Sequence, residues 1–218
     1  MLNKKSLYRT FQKSLKQISP FLSDKGDLLE VGSYCGFFLD TFTKKYKSWN
    51  YIGIEPSKWA AEYARSQLNI NTRTGTLEDN IKDLSSNYDA VVAWDVLAHL
   101  SDPSAFLTQT NSIMKQNGVF CFSTLDIDNW IPKIMGKHWP WLMEMHLFYY
   151  KTKTTEQLLN KAGFKILASE KYVHYVSIHY LVGKIIAILP AWLERPLSIV
   201  RSAMPQKIMI QISFGDIK

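Results

Sequence analysis

Short apolar runs alternate with amphipathic segments between residues 27 and 124 of the 218-residue chain. The apolar runs predict buried strands, because strands of a parallel sheet that is covered on both faces are apolar throughout. The segments between them repeat apolar residues every three or four positions, which predicts helices. An α/β fold with a mostly parallel sheet follows. The predicted strands are 27–32, 49–55, 69–75, 88–94 and 119–124, and the predicted helices are 37–46, 56–68 and 102–114.

The ends of the chain extend this alternating core. Residues 3–19 carry an apolar stripe with lysines opposite, so we expect residues 1–25 to form an N-terminal helix that packs on or caps a domain of residues 26–218. A turn is expected at Asn117–Gly118. Later in the chain we predict a helix at 154–164 and strands at 165–173 and 207–214. Two stretches break the alternation: an insertion or lid at about 125–150 and a helical insertion at about 177–203.

Composition excludes several classes of protein. With 46% hydrophobic residues the chain is not wholly disordered. Cys35 and Cys121 do not make a disulfide framework, and the sequence has no Cys/His cluster that would hold a metal, so we expect a reducing, cytoplasmic compartment. The apolar stretch 180–193 is shorter than the roughly 20 residues that a bilayer-spanning helix needs.

The formal net charge of +7 is unevenly distributed. Residues 1–26 carry +5 and residues 151–218 carry +6, whereas the middle of the chain carries −4. We expect no nucleic-acid partner, because the basic residues are not clustered in the middle and no recognition motif is present. The basic, amphipathic ends suggest peripheral contact with an anionic lipid at the inner face of a membrane, although core packing or a dimer face would give the same pattern. The oligomeric state stays open.

The first strand leads into a loop with two glycines, Gly32 and Gly36. A dinucleotide-binding loop needs a third glycine between them, where this chain has Tyr34, so an NAD(P)-dependent reductase is a weak alternative. No G-K-[ST] sequence follows, which excludes a phosphate-binding P-loop.

Acidic residues lie at or near the carboxyl ends of three of the predicted strands: Glu30, Glu55 and Asp95. In open α/β sheets, ligands bind at the carboxyl ends of the strands. Glu55 is placed to accept hydrogen bonds from both hydroxyls of a ribose. Three acids around one nucleoside pocket favour a cationic ligand that carries an amino group and a sulfonium.

The motifs, in this order and spacing, resemble class I S-adenosylmethionine-dependent methyltransferases of the type that modifies small molecules and glycans. The matching stretches are LLEVGSYCGFFL, GIEPSKWAAEYA, GTLED, YDAVVAWDVLAHLSDP, NGVFCFST and HLFYYKTKTTEQLLNKAGF. The resemblance covers about residues 26–170. It implies a Rossmann-like sheet of seven mostly parallel strands with helices on both faces and an antiparallel last strand. It also implies S-adenosylmethionine as the cofactor.

The resemblance further implies a role for individual residues. Gly32 and Gly36 would shape the loop under the methionine part of the cofactor, with Tyr34 between them. Glu30 would hold the methionine amino group, and Glu55 the ribose hydroxyls. The remaining cofactor residues are Pro56, Leu77 and Glu78 beside the nucleoside, and Asp95 and Val96 on the methionine side.

Two histidines are the candidate bases for the reaction. Methyl transfer from a sulfonium to a hydroxyl or amine benefits from a base near neutrality, which histidine supplies. By the resemblance, His146 is the first candidate, for base or acceptor contact, and His99 is the second, although Ala98 stands where the family commonly has an acid before that histidine. For each, a structural histidine that bonds a loop carbonyl is the alternative. The tryptophan-rich segment 130–143 would cover a small-molecule acceptor such as a sugar or a lipid-linked glycan, unless it is a hydrophobic insertion packed on the sheet. A non-catalytic module that binds the cofactor remains the alternative.

Overall fold

The computed structural model describes residues 4–85, 87–139, 141–186 and 209–217. The strands are β1 Gly26–Val31, β2 Trp49–Glu55, β3 Thr72–Thr74, β4 Tyr88–Ala93, β5 Met114–Leu125, β6 Glu170–Ser177 and β7 Met209–Ile217. The α-helices are α1 Lys4–Ile18, α2 Phe37–Lys45, α3 Lys58–Leu68, α4 Leu77–Asn80, α5 Pro103–Ser112, α6 Trp130–Met135, α7 Thr152–Lys161 and α8 Ile178–Ile186. Short 3₁₀ turns lie at Ser19–Phe21, Ile81–Asp83, Leu97–His99 and Gly136–His138.

The seven strands form one sheet in the order β3-β2-β1-β4-β5-β7-β6. The first five strands are parallel to their neighbours, and β7 is antiparallel to both β5 and β6. This is the predicted α/β sheet with its antiparallel last strand. Since β1 lies between β2 and β4, the chain reverses its winding direction at β1, which is where ligands bind in open α/β sheets.

Apolar side chains cover both faces of the sheet. One cluster of buried side chains includes Leu28 and Trp94, and packs against α1 and α2 through residues such as Phe38. The other includes Leu29 and lies under α5 and α7. Adjacent residues of β1 therefore point to opposite faces, which is why the strand is apolar throughout.

Helix α1 packs against the far edge of the sheet and against α2. Its stripe buries Leu15 and Ile18 in the core. The Thr10 hydroxyl oxygen accepts a hydrogen bond from the backbone N–H of Tyr175 on β6 at 3.0 Å. Gln17 Nε2 donates to Glu170 Oε2, also on β6, at 2.8 Å. These two hydrogen bonds join helix α1 to strand β6, although the bonded residues lie more than 150 positions apart in the sequence.

Several of the predicted boundaries differ from the structure. Helix α3 begins at Lys58, because the Ser57 side chain caps it by accepting from Ala60 N–H and leaves Pro56 outside. The turn at Asn117–Gly118 lies within β5: the step from Tyr88 to Ala90 on β4 matches Met114 to Val119 on β5. Asn117 adopts a left-handed φ of 67° within this bulge.

The predicted strand 165–173 is wrong in its first half. Residues 164–169 have no regular structure, and β6 begins at Glu170 and runs to Ser177. The predicted strand 69–75 is reduced to three residues, and the helix predicted at 154–164 runs from Thr152 to Lys161. The stretch 187–208, and with it the larger part of the expected insertion at 177–203, lies outside the described residues. Within the described ranges, none of the helices has the length and apolar character needed to cross a bilayer.

Candidate functional site

The three predicted acids lie along one edge of the sheet. Glu30 is in register with Gly53 of β2 and with Val92 of β4, so the carboxyl ends of these three strands lie side by side. Glu55 is the last residue of β2, and Asp95 lies two residues beyond the end of β4. The structure therefore brings together the three acids, which lie up to 65 residues apart in the sequence.

The loop after β1 turns sharply through three residues with left-handed backbone: Gly32 (φ 73°), Tyr34 (φ 47°) and Gly36 (φ 79°). A Cβ on Gly32 would lie 2.6 Å from Val96 Cγ2, so only glycine permits this approach between the loop and the segment after β4. A Cβ on Gly36 would lie 3.0 Å from Ala64 Cβ, where the loop enters α2 beside α3. Each glycine is therefore required by a different close contact, and the Val96 side chain lies against the loop.

The carboxylate of Glu55 is held by two backbone N–H groups. Tyr34 N–H donates to Oε2 at 2.7 Å, and Ser57 N–H donates to Oε1 at 2.9 Å. The residue is buried, with 7% of its surface exposed. Each carboxylate oxygen has two lone pairs, so one on each oxygen remains for a ligand. The arrangement fixes the carboxylate in an orientation suited to a vicinal diol.

Glu30 is the most deeply buried acid of the three, with 2% of its surface exposed. It accepts a hydrogen bond from the backbone N–H of Leu39, in the first turn of α2. Its Oε2 atom has no hydrogen-bond partner among the described residues. Burial, and then the nearby charge of Glu55, raises the pKa of Glu30 well above its usual value. A buried carboxyl with a free oxygen matches a cationic ligand group such as the ammonium of methionine.

Pro56 directly follows Glu55 at the end of β2, and Leu77 and Glu78 lie in the first turn of α4. Leu77 is buried in the core at the start of α4, whereas Glu78 and Pro56 are exposed. The α4 N-terminus is capped by Thr76, whose side chain accepts from Asp79 N–H while the Asp79 carboxylate accepts from Thr76 N–H. Asp79 and not Glu78 therefore supplies the capping carboxylate.

Asp95 is held by a residue that the sequence analysis did not single out. Asp95 N–H donates to Ser123 Oγ at 2.9 Å, and the Ser123 hydroxyl donates to Asp95 Oδ1 at 2.8 Å. Asp95 Oδ2 lies 3.6 Å from Nε2 of His174 on β6. The position of Ser123 near the end of a predicted strand was a usable signal for it. No local signal indicates His174, because only the packing of β6 brings it to Asp95.

The two candidate bases, His99 and His146, lie side by side with ring centroids 4.8 Å apart. His99 Nδ1 is 2.9 Å from the carbonyl oxygen of Met145, and His146 Nδ1 is 3.1 Å from that of Trp141. Because a carbonyl oxygen only accepts hydrogen bonds, each Nδ1 must carry the proton when the ring is neutral. The lone pair of each ring is then on Nε2, which is the nitrogen able to accept a proton.

The electrostatic surroundings of His146 favour its neutral form. Burial, followed by the neighbouring His99, lowers the pKa of His146, while the Trp141 carbonyl and the charge of Asp95 act in the opposite direction. A neutral imidazole near pH 7 can act as a general base. The charge of Asp95 therefore reaches His146, and His99 lies against the His146 ring.

Backbone contacts join the segment that carries His146 to the 3₁₀ turn that carries His99. Leu147 N–H and Phe148 N–H both donate to the carbonyl of Ala98, at 2.8 and 3.2 Å. The buried Tyr150 hydroxyl donates to the carbonyl of Leu97 at 3.0 Å. Residue 98 therefore contributes through its backbone carbonyl, which is present whatever the side chain.

The tryptophans of the segment 130–143 do not form one aromatic surface. Trp130 is largely exposed, Trp139 is buried, and Trp141 is intermediate. The exposed apolar side chains of this region are Trp130, Ile134, Leu142, Met145, Leu147 and Phe148. The exposed side chains that flank His146 in the sequence are mainly apolar, with Glu144 as the charged one.

A separate cavity of about 490 Å³ lies between the end of α1, β5 and residues 163–170. None of the predicted site residues lines it. Among the described parts of the chain there is also no group of three or more His, Cys, Asp and Glu side chains arranged to hold a metal ion. The candidate site is therefore the edge formed by the ends of β1, β2 and β4.

Comparisons of the sequence and of the structure with known proteins both find methyltransferases. A family model described as a methyltransferase domain matches residues 4–169. A ubiquinone biosynthesis O-methyltransferase of Rhodopseudomonas palustris (strain HaA2) is 28% identical over 175 residues, which cover 68% of this chain and 66% of that protein. The match thus spans slightly less than two thirds of the length of this relative.

Two crystal structures show the same fold at low sequence identity. A SAM-dependent methyltransferase from Archaeoglobus fulgidus is 14% identical, with a TM-score of 0.65 over 96% of this chain and 93% of that one. A magnesium protoporphyrin IX methyltransferase from Synechocystis PCC 6803 with bound SAH is 15% identical, with a TM-score of 0.61 over 76% of each chain.

Proposed function

The chain belongs to the methyltransferase domain family, and from this premise we propose that it transfers the methyl group of S-adenosylmethionine to a hydroxyl of a small, partly apolar molecule. Family membership confirms the resemblance that the ordered motifs indicated, together with the class I α/β fold and the cofactor. The acceptor and the roles of individual residues are the proposed part.

The cofactor residues proposed from the sequence fit the group they would bind. The Glu55 carboxylate, fixed by Tyr34 and Ser57 N–H groups, would accept hydrogen bonds from the ribose hydroxyls. The free Oε2 of Glu30 would receive the methionine ammonium, and this charge would favour ionisation of a carboxyl whose pKa burial raises. When bound, S-adenosylmethionine supplies an electrophilic methyl group on a positively charged sulfur.

The neighbouring imidazoles are the observation that carries the proposed acceptor chemistry. His146 Nε2 is free to accept the hydroxyl proton as the new oxygen–carbon bond forms and the sulfur–carbon bond breaks. The carboxylate of Asp95 would stabilise the imidazolium that results, since its charge favours the protonated ring. His99, which is exposed and lies against His146, would contact the acceptor.

A hydroxyl on a partly apolar molecule is favoured over a sugar. The side chains beside His146 that are exposed are mainly apolar, including Met145, Leu147 and Phe148. Relatives such as the R. palustris protein are named as O-methyltransferases of ubiquinone biosynthesis, which supports oxygen as the methylated atom.

The proposal is tested by a methyl-transfer assay with three matched probes: 4-hexylphenol, 4-hexylaniline and 4-hexylanisole. We expect the phenol to be converted to its methyl ether with formation of S-adenosylhomocysteine. The anisole has no hydroxyl to accept a methyl group, so it should give no S-adenosylhomocysteine above background. Methylation of the aniline alone would replace the hydroxyl by an amine as acceptor. Cofactor binding without methylation of either the phenol or the aniline would contradict the proposed acceptor chemistry and favour a non-catalytic cofactor-binding module.

A further inference from the structure

Tyr34 has a backbone conformation that is unfavourable for its residue type. Its φ of 47° lies in the left-handed region, which costs a residue other than glycine about 1–2 kcal/mol. Its N–H contact with Glu55 is a backbone interaction that glycine would make equally well. Backbone strain of this kind persists where the surrounding structure fixes it, and it clusters at functional sites. The side chain of Tyr34 therefore requires its own explanation.

The Tyr34 ring is paired with a second exposed aromatic ring, that of Trp59. The ring centroids are 6.5 Å apart with an angle of 54° between the planes. Tyr34 is 43% exposed and Trp59 is 60% exposed. Trp59 lies in the first turn of α3, two residues after Ser57. The pair thus joins the two segments whose N–H groups hold the Glu55 carboxylate.

A row of aromatic rings supports this pair from behind. Trp59 lies 5.9 Å from Tyr63, Tyr63 lies 6.1 Å from Phe37, and Phe37 lies 5.3 Å from Tyr8 on α1. Phe37 is buried, so the row is anchored in the protein at one end and exposed at the other. Packing accounts for the anchored end, whereas the described residues leave the rings of Tyr34 and Trp59 at the other end largely uncovered.

We propose that Tyr34 and Trp59 form an aromatic clasp that covers the nucleoside part of the bound cofactor and slows its release. The inference rests on the proposed function, because the ligand is the one whose ribose Glu55 would bind. Aromatic rings stack on purine bases and pack against sugar rings. Such contacts contribute most to binding when the protein ring and the ligand ring are both removed from water. The strain at Tyr34 is then offset in the complex.

The test is isothermal titration of the full chain with S-adenosylhomocysteine, using four variants. Trp59→Ala and Tyr34→Gly should each raise Kd about tenfold, the loss of one aromatic contact, and Trp59→Phe should restore most of the affinity. Tyr180→Ala is the matched control, because Tyr180 is an equally exposed tyrosine on α8, which follows the opposite edge of the sheet. Tyr34→Gly should also raise the melting temperature, since glycine adopts this φ without strain.

Opposite shifts in affinity and thermal stability for Tyr34→Gly are a result that a purely structural role does not produce. Wild-type binding with unchanged Kd for Trp59→Ala and Tyr34→Gly would overturn the clasp and leave the proposed function intact. Absence of S-adenosylhomocysteine binding by the wild-type chain would overturn both.

Discussion

The cofactor edge and the segment that carries His146 are held by different kinds of contact. At the cofactor edge, Glu30 and Glu55 end adjacent strands, and the loop of Gly32 and Gly36 is fixed by steric contacts within a few residues of the sheet. The segment around His146 has no strand, and it is positioned by hydrogen bonds from its backbone to the carbonyl of Ala98. Regular sheet geometry therefore positions the residues proposed for the cofactor, whereas long-range loop contacts position those proposed for the acceptor.

This difference separates what the two regions can do. A site that belongs to the sheet has its geometry before the ligand arrives, so it suits a cofactor that is the same in every reaction cycle. A site built on loop contacts can change with few consequences for the sheet, so it suits the acceptor. Substitutions in the two regions should accordingly separate cofactor affinity from turnover.

The largest expected effect is on turnover and comes from His146. His146→Ala removes the proposed base, and we expect kcat to fall by at least about 100-fold, the lower end for loss of a general base. Cofactor affinity should stay near that of the wild type. His138→Ala is the matched control, because His138 is exposed on the same segment. A kcat for His146→Ala equal to that of the control would remove His146 from the mechanism.

The pH dependence of turnover sharpens the same assignment. A base acts in its neutral form, so the rate should fall on the acid side as His146 becomes protonated. Burial lowers the pKa of His146, so this fall should occur below the usual range of an imidazole and leave the rate level across neutral pH. A pH–rate profile of wild-type kcat measures it, and a rate that still rises steeply above pH 7 would contradict the assignment.

A smaller effect, on stability, is expected at the contact between the segment that carries His146 and the 3₁₀ turn Leu97–His99. Tyr150→Phe removes the hydroxyl that donates to the Leu97 carbonyl and leaves that buried carbonyl without its partner, so we expect a loss of about 1–3 kcal/mol in the free energy of unfolding. Urea denaturation measures this loss, and Tyr180→Phe on the exposed surface should change stability by less than about 0.5 kcal/mol. KM for the acceptor should rise while the cofactor Kd is unchanged. A change in cofactor Kd instead would show that the two regions are coupled.

Glu30→Gln tests the burial of the Glu30 carboxyl through thermal stability. The expected change in melting temperature is small near pH 5 and grows with pH. The folded pKa of Glu30 is raised above its unfolded value, so the unfolded state releases the proton first and the native carboxyl loses stability as pH rises from about 4.5. Gln has no such proton to lose, so its melting temperature should increasingly exceed that of wild type with rising pH. Thermal melts across pH, with Glu62→Gln on the exposed face of α3 as control, measure the difference. A gap that narrows with pH would contradict the burial of a protonated carboxyl.

The arrangement of the proposed cofactor side follows from local features of the sequence, although the roles of its residues stay predictions. Continuous apolar strands, the glycines after β1 and the acid that ends β2 lie within 30 residues, and β-strand alternation places them without knowledge of the rest of the fold. The capping role of Asp79 needed the structure, since Glu78 and Asp79 are indistinguishable as letters at a helix start.

The acceptor side could be predicted only as a region. The contact between Asp95 and His174 joins the ends of β4 and β6, and nothing local to either residue indicates it. The start of β6 was missed because residues 164–169 have an apolar, strand-like sequence but no regular structure. The separation of Trp130 from Trp139 likewise depends on how α6 and the following turn pack.

The claim that the cofactor edge is centred on Glu55 is tested most directly by isothermal titration of the chain with S-adenosylhomocysteine. We expect one molecule to bind per chain, and Glu55→Ala to weaken binding by at least about tenfold, because hydrogen bonds to a charged group contribute about 1.5–3 kcal/mol. Glu62→Ala, a neighbouring exposed acid paired with Arg65, should bind like wild type. Equal affinity for Glu55→Ala and wild type, or no binding by the wild-type chain, would contradict the account.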